Sequence, residues 1–173
     1  MRIILIGFMC SGKTAVGRAL AKALSVPHVD LDRKIEERVG PLQPWFIAHG
    51  EEVFRRAERE VLLESLELPS AVISAGGGTP CWGDNLDRMR AAGNVVYLYV
   101  PEDILVPRIE RKGMDRPLLM GLEGAELHRR IKELLEAREQ WYERAHAKVA
   151  SVVEPSAVAE DILRTLGLKG QDR

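Results

Sequence analysis

Residues 7–14, GFMCSGKT, follow directly on MRIILI and precede AVGRALAKAL, whose apolar residues recur at helical steps. Gly7 and Gly12 bracket four free positions and Lys13-Thr14 close the segment, the spelling G-x-x-x-x-G-K-[ST] of a loop that wraps a polyphosphate. Such a loop works between a strand and a helix, because its backbone N–H groups turn inward around the phosphates while the helix presents its positive end. The segment thus commits the chain to a strand, a loop and a helix in that order, and to a nucleoside triphosphate as ligand. An accidental match in a glycine-containing loop leaves the strand and helix on either side unexplained. Lys13 is placed to meet the β- and γ-phosphates, and the Thr14 hydroxyl offers Mg²⁺ the hard oxygen that this cation prefers.

Beyond the loop, short β-rich apolar runs alternate with longer stretches of helical period. IILIG, VPHVDLD, AVISAGG, NVVYLYV and AKVASVV read as five strands. Helices are expected over 15–24, 51–66, 84–92, 101–111, 125–145 and 156–166. Strands separated by helices imply right-handed crossovers and a mostly parallel sheet covered on both faces. The expected fold class is therefore α/β, as one domain over 1–173, since 173 residues bury one good core but not two. Twenty-five basic against 26 acidic residues leave a net charge of −1, which gives no long-range attraction to nucleic acid or to an anionic membrane. No apolar run reaches the ~18 residues of a membrane span, and the N-terminal run lacks a cleavage pattern. A cytoplasmic protein with small-molecule partners is expected. Cys10 and Cys81 are far apart and lack metal-ligand spacing, which suits reduced thiols and no zinc site.

In open α/β sheets ligands bind beyond the carboxyl ends of the strands, so the residues after each strand carry the chemistry. After the second strand, Asp30-Leu31-Asp32 puts two carboxylates on the same side of an extended chain, one for water on Mg²⁺ and one for an attacking hydroxyl. The alternative is that Asp32 caps a helix starting at Arg33. In Phe54-Arg55-Arg56-Ala57-Glu58, Arg55 and Glu58 share a helix face, so that Arg55 can clamp a carboxylate while Glu58 steadies it. A solvated surface pair is the bland alternative. Gly76, Gly77 and Gly78, after the third strand, exceed what a turn requires and suit close approach of a ligand to the backbone. The stretch 111–124, with Arg116, has the glycines and charges of a mobile lid or of a passive surface loop. Arg138, on the long late helix, reads by itself as a solvated charge.

Together GFMCSGKT, DLD, FRRAE, AGGG, RPLL and an arginine shortly before WY resemble the shikimate kinase family of P-loop kinases, over about residues 2–166. The combination at these separations is far more specific than the P-loop alone. The resemblance implies a sheet in the order 2-3-1-4-5, and ATP-dependent phosphorylation of the 3-hydroxyl of shikimate on the way to chorismate and the aromatic amino acids. It implies Lys13, Asp32 and Arg116 as catalytic residues, with Arg116 on the lid reaching the nucleotide phosphates. Shikimate binding falls to Asp32, Arg55, Glu58, Gly76, Gly77, Gly78 and Arg138, within a substrate segment of about 32–60. ATP binding falls to Cys10, Ser11, Gly12, Lys13, Thr14, Ala15, Arg116 and Pro155, with Arg108 or Arg111 on the adenine. Mg²⁺ is expected on Thr14 and, through water, on Asp30; ATP is the co-substrate and the protein is expected to be a monomer.

Two departures from the family pattern stand out: Val39–Phe46 is one residue shorter and has two prolines where regular helix is usual, and Pro80 follows the glycine triplet. Residues 168–173 are a C-terminal tail. The rival readings are another small-molecule P-loop kinase, such as a gluconate kinase, and a nucleotide-binding regulatory protein without the chemistry. Cys10 is expected to be a reactive thiol, near a helix N-terminus and Lys13; the alternative is that Cys81 reacts instead.

Overall fold

A computed structural model describes residues 1–112 and 116–170. It contains five strands in one parallel sheet, β1 (Arg2–Ile6), β2 (His28–Asp30), β3 (Ala71–Ser74), β4 (Asn94–Tyr99) and β5 (Ala147–Ala150), in the order β2-β3-β1-β4-β5. Eight α-helices flank it among the described residues: α1 (Lys13–Leu24), α2 (Leu31–Val39), α3 (Leu42–His49), α4 (Glu51–Leu66), α5 (Asn85–Ala92), α6 (Glu102–Lys112), α7 (Gly124–Tyr142) and α8 (Pro155–Thr165).

Ile3, Ile4, Leu5 and Ile6 of β1 are all fully buried, as expected of a central parallel strand with both faces covered. Alternation divides them. Ile4 and Ile6 join Ile35, Val61, Leu62, Met89, Ile131 and Tyr142, while Ile3 and Leu5 join Val16, Leu20, Val158 and Ile162 of α1 and α8. All strands run the same way, so their carboxyl ends gather along one edge. The register sets Leu5 beside Ser74 and Ser74 beside Asp30. The phosphate loop, the glycine triplet and Asp30 therefore emerge side by side.

The single α/β domain and the sheet order agree with expectation; two local readings do not. The second strand ends at Asp30 rather than running through Asp32, because Asp30 Oδ1 accepts from the Arg33 N–H at 3.3 Å and caps α2, with Leu31 and Asp32 already in its first turn. The cap is thus Asp30, not Asp32, and it is helix geometry rather than strand alternation that sets the two carboxylates. Secondly, 42–49 form a helix despite Pro41 and Pro44. Pro41 precedes the helix and Pro44 lies in its first turn, where an N–H has no intrahelical acceptor to lose. Of the expected lid, Arg111 and Lys112 end α6, 113–115 lie outside the described residues, and Pro117–Leu119 make a 3₁₀ turn whose Leu119 is buried in the core. Of the tail, 168–170 are described and 171–173 lie outside. No described helix is long and apolar enough to cross a membrane.

Candidate active site

The phosphate loop is shaped by contacts that admit no side chain at Gly7: its φ is 144°, and a Cβ there would lie 2.7 Å from the Leu98 carbonyl oxygen. Cys10 also has a positive φ, 60°. Lys13 opens α1 and folds its ammonium back into the loop, where Nζ donates to the Gly7 and Phe8 carbonyls at 2.8 Å each. Burial lowers the Lys13 pKa to about 8; nearby Asp32 opposes this and Arg116 adds to it. Thr14 Oγ1 donates to Asp30 Oδ2 at 2.6 Å. Ser11 Oγ is buried without a hydrogen-bond partner among the described atoms. A cleft of about 490 Å³ opens over this loop, lined by Cys10, Gly12, Lys13, Thr14, Ala15, Arg108, Arg111, Arg116, Val153 and Pro155. Pro155 is the first residue of α8. Arg108 Nη1 is tied to the Ser151 carbonyl at 2.9 Å, and Arg111 Nε to the Pro107 carbonyl of its own helix at 3.2 Å.

A second cleft, about 510 Å³, lies on the other side of Asp32 and is lined by Arg55, Glu58, Gly76, Gly77, Gly78 and Arg138, with Pro41, Leu42, Pro44 and Phe46 along one wall. Arg55 and Arg138 are each 8 % exposed and Glu58 1 %, so the expectations of a solvated ion pair and a solvated arginine both fail. Arg55 Nη1 donates to Glu58 Oε2 at 2.7 Å, and the Arg138 guanidinium lies over the Phe8 ring at 5.5 Å. The glycine triplet owes its composition to these side chains. A Cβ at Gly76 would sit 2.5 Å from Glu58 Oε1, one at Gly77 3.2 Å from Arg138 Nη1, and one at Gly78 would overlap the Arg55 guanidinium.

Thr14, Asp30, Asp32, Gly76, Gly77 and Arg116 line both clefts. At this junction Arg116 Nη1 donates to Asp32 Oδ2 at 3.2 Å. All the expected site residues thus fall on one continuous surface, Ser11 excepted, whose side chain is buried behind the loop.

Several residues there were given no role from the sequence. Arg18, one turn beyond Thr14 on α1, and Arg33 and Glu36 on α2 line the second cleft. Ser74 Oγ donates to the Lys13 carbonyl and bonds His28 Nε2, both at 2.9 Å, so β3 and β2 brace the start of α1. Tyr142, fully buried, donates from its hydroxyl to the Gly77 carbonyl at 2.6 Å. Its distance from Arg138 of one helical turn was the available clue, legible only once the helix face was known.

Both cysteines are half-buried; burial pushes the Cys81 thiol up to about 11, and Cys10 lines the nucleotide-side cleft. A small alkylating reagent at neutral pH is expected to label Cys10 in preference to Cys81, because attack requires the thiolate. ATP with Mg²⁺ is expected to slow the labelling. Peptide mass spectrometry reads the outcome, and labelling confined to Cys81 would refute it.

A phosphate loop at the edge of a 2-3-1-4-5 parallel sheet, sharing a wall with a second cleft for a small acceptor, defines a P-loop kinase of small molecules. The family model described as shikimate kinase matches residues 9–167. The chain is 44 % identical over 149 residues to a shikimate kinase of Bacteroides thetaiotaomicron, covering 84 % of this chain and 83 % of that one. The crystal structure of shikimate kinase from the same organism superposes with a TM-score of 0.89 at 36 % identity, over 97 % of this chain and 99 % of that one. Shikimate kinase from Acinetobacter baumannii, in complex with shikimate, superposes with a TM-score of 0.87 at 33 % identity, over 95 % and 92 %. This chain belongs to the shikimate kinase family.

Proposed function

We propose that the protein transfers the γ-phosphoryl group of ATP to the 3-hydroxyl of shikimate, giving shikimate 3-phosphate and ADP in the route to chorismate. The observation that carries this reading is the pair of clefts meeting at Asp32 and Arg116, one floored by the phosphate loop and the other by two buried arginines. A ring bearing one carboxylate and several hydroxyls needs cations at one end and a carboxylate acceptor at the other. Arg55 and Arg138 supply the former and Asp32 the latter. A gluconate kinase has less need of two such arginines on separate helices, α4 and α7.

In this assignment Arg55 and Arg138 clamp the substrate carboxylate, the glycine triplet faces the ring, and Asp32 orients the 3-hydroxyl and accepts its proton. Lys13 and the loop N–H groups of 10–15 hold the β- and γ-phosphates, while Arg116 meets the charge that develops on the transferred group. Alignment and charge compensation are most of what phosphoryl transfer requires. Arg108 and Pro155 border the space for the adenine, where Arg111 is also present. The donor set suits Mg²⁺: Thr14 Oγ1 and Asp30 Oδ2 are two hard oxygens 2.6 Å apart, and among the described residues no acidic, His or Cys cluster competes as a closed cage. Thr14 and, through water, Asp30 would hold Mg²⁺ there, and the ion would supply charge neutralisation for the phosphates. The described residues of 111–124 belong to the lid, and the protein acts as a cytoplasmic monomer.

Shikimate-dependent ADP release, compared with gluconate and nucleoside monophosphates under one set of conditions, tests the reading; turnover of gluconate but not shikimate would reject it. The nucleotide half has its own pH signature. Lys13 in the free protein loses its proton as the pH passes about 8, and bound polyphosphate raises that pKa. Nucleotide affinity is therefore expected to be fully present below pH 8 and to decline as the pH climbs toward the pKa of the complex, with proton uptake on binding. Calorimetry in buffers of different ionisation enthalpy measures this, and an affinity flat from pH 7 to 10 would contradict it.

A further inference from the structure

Glu58 has almost no contact with solvent, and donors reach it from two different elements. Arg55 Nη1, one turn earlier on α4, donates to Oε2 at 2.7 Å; Thr79 Oγ1, from the 3₁₀ turn after the glycine triplet, donates to Oε1 at 2.5 Å. Thr79 is itself fully buried and held at both ends of its backbone. Its N–H donates to the Gly76 carbonyl at 3.2 Å, and its carbonyl accepts from Asn85 Nδ2 at 2.9 Å. Asn85 Oδ1 in turn accepts from Arg59 Nη1 at 2.6 Å. The hydroxyl is thereby fixed opposite Glu58 by a chain of contacts that ends on α4 and α5.

We propose that Thr79 is a positioning residue for substrate binding: its hydroxyl holds the Glu58 carboxylate in place, and Glu58 in turn keeps the Arg55 guanidinium in the substrate cleft. The proposal rests on the reading of Arg55 as a substrate contact. A buried carboxylate is costly to keep charged, and its burial raises the Glu58 pKa, with Arg55 and Thr79 opposing the rise and Asp32 of α2 adding to it. The other charged or titratable groups around this pair are Glu51 on α4, Cys81 on the 3₁₀ turn and Arg138 on α7. Glu51 matters most among them. It lies 3.4 Å from Arg55 Nη2 but is 55 % exposed, so a guanidinium no longer held by Glu58 is drawn outward to it and away from the cleft. Each hydrogen bond to a charged group in so dry a place is strong, and an oxygen left without its donor is correspondingly expensive.

Thr79→Val keeps the shape and deletes the donor, whereas Thr79→Ser keeps the donor. The Glu58 carboxyl in the substrate-free protein is followed by side-chain ¹³C NMR, and KM for shikimate and for ATP are measured across pH. Expected for Thr79→Val are a Glu58 titration at higher pH and a KM for shikimate raised about tenfold, the loss of one charge-assisted hydrogen bond. KM for ATP should stay near wild type, and the acid limb of kcat/KM for shikimate should move to higher pH. Thr79→Ser restores all three. Glu58→Gln, which carries the test if the valine variant does not fold, should raise KM for shikimate in the same way and lose that acid limb. An unmoved Glu58 titration in Thr79→Val, equal losses on the shikimate and ATP sides, or a wild-type acid limb in Glu58→Gln overturns the proposal. A wild-type protein inert toward shikimate would instead remove the functional reading, while the NMR comparison still decides whether Thr79 governs Glu58.

Discussion

Asp32→Asn is expected to lower kcat by about 10²–10⁴, the range for loss of a positioned acid–base group, with nucleotide affinity nearly unchanged. The amide matches the carboxylate in shape but offers an N–H₂ where the hydroxyl proton must go, so the alcohol is turned the wrong way. If the transition state is loose, the proton leaves late and much of the effect is lost orientation rather than lost basicity. Asp32 also holds Arg116 at 3.2 Å. The same substitution therefore loosens the cation intended for the transferred group, which places the loss in kcat rather than in KM for ATP. Steady-state kinetics with both substrates saturating measures it, and a kcat close to wild type would remove Asp32 from the reacting hydroxyl.

Arg138→Ala is expected to weaken shikimate binding by about 2–5 kcal/mol, the range for truncating one partner of a buried charge pair, with ATP affinity unchanged. Arg55→Ala should cost a similar amount in binding but differ in stability. Removing Arg55 leaves Glu58, 1 % exposed, without its cation, and breaking a buried pair in this way destabilises the fold by about 3–5 kcal/mol. Arg138 rests on the Phe8 face and beside Tyr142, and its loss strands no buried carboxylate in this way. Titration calorimetry and thermal melting together separate the two variants. Wild-type shikimate affinity in both would exclude this pose of the substrate, and equal melting temperatures for both would show that Glu58 does not depend on Arg55.

Much of the active site was legible because its chemistry is written in short segments. The phosphate loop needs its glycines and Lys13-Thr14 at set spacing, and that pattern demands the strand before and the helix after it. β1 and the inner strands announce themselves as apolar runs because a parallel strand is covered on both faces. The likeness of DLD, FRRAE, AGGG and RPLL to one kinase family pointed to isolated residues, such as Arg138, that periodicity reads as surface charge and that the structure buries beside the second cleft.

Local reading stopped wherever a distant group decided the outcome. Asp30 and Asp32 look like alternating residues of one strand, but the Arg33 N–H turns Asp30 into a helix cap and moves Asp32 onto α2. The glycine triplet looks like a ligand platform alone, yet Glu58, Arg55 and Arg138 arrive from α4 and α7 and crowd the space its side chains would take, most closely at Gly76 and Gly78. Nothing near position 79 announces that its hydroxyl meets a carboxylate 21 residues earlier. Sequence by itself determined the phosphate loop, the alternation of strands and helices and the inventory of charges, since each depends on neighbours within a few turns of chain. Only the tertiary structure decided which charges are buried and which are paired, because dielectric and hydrogen-bond partners are set by elements that meet across the sheet edge.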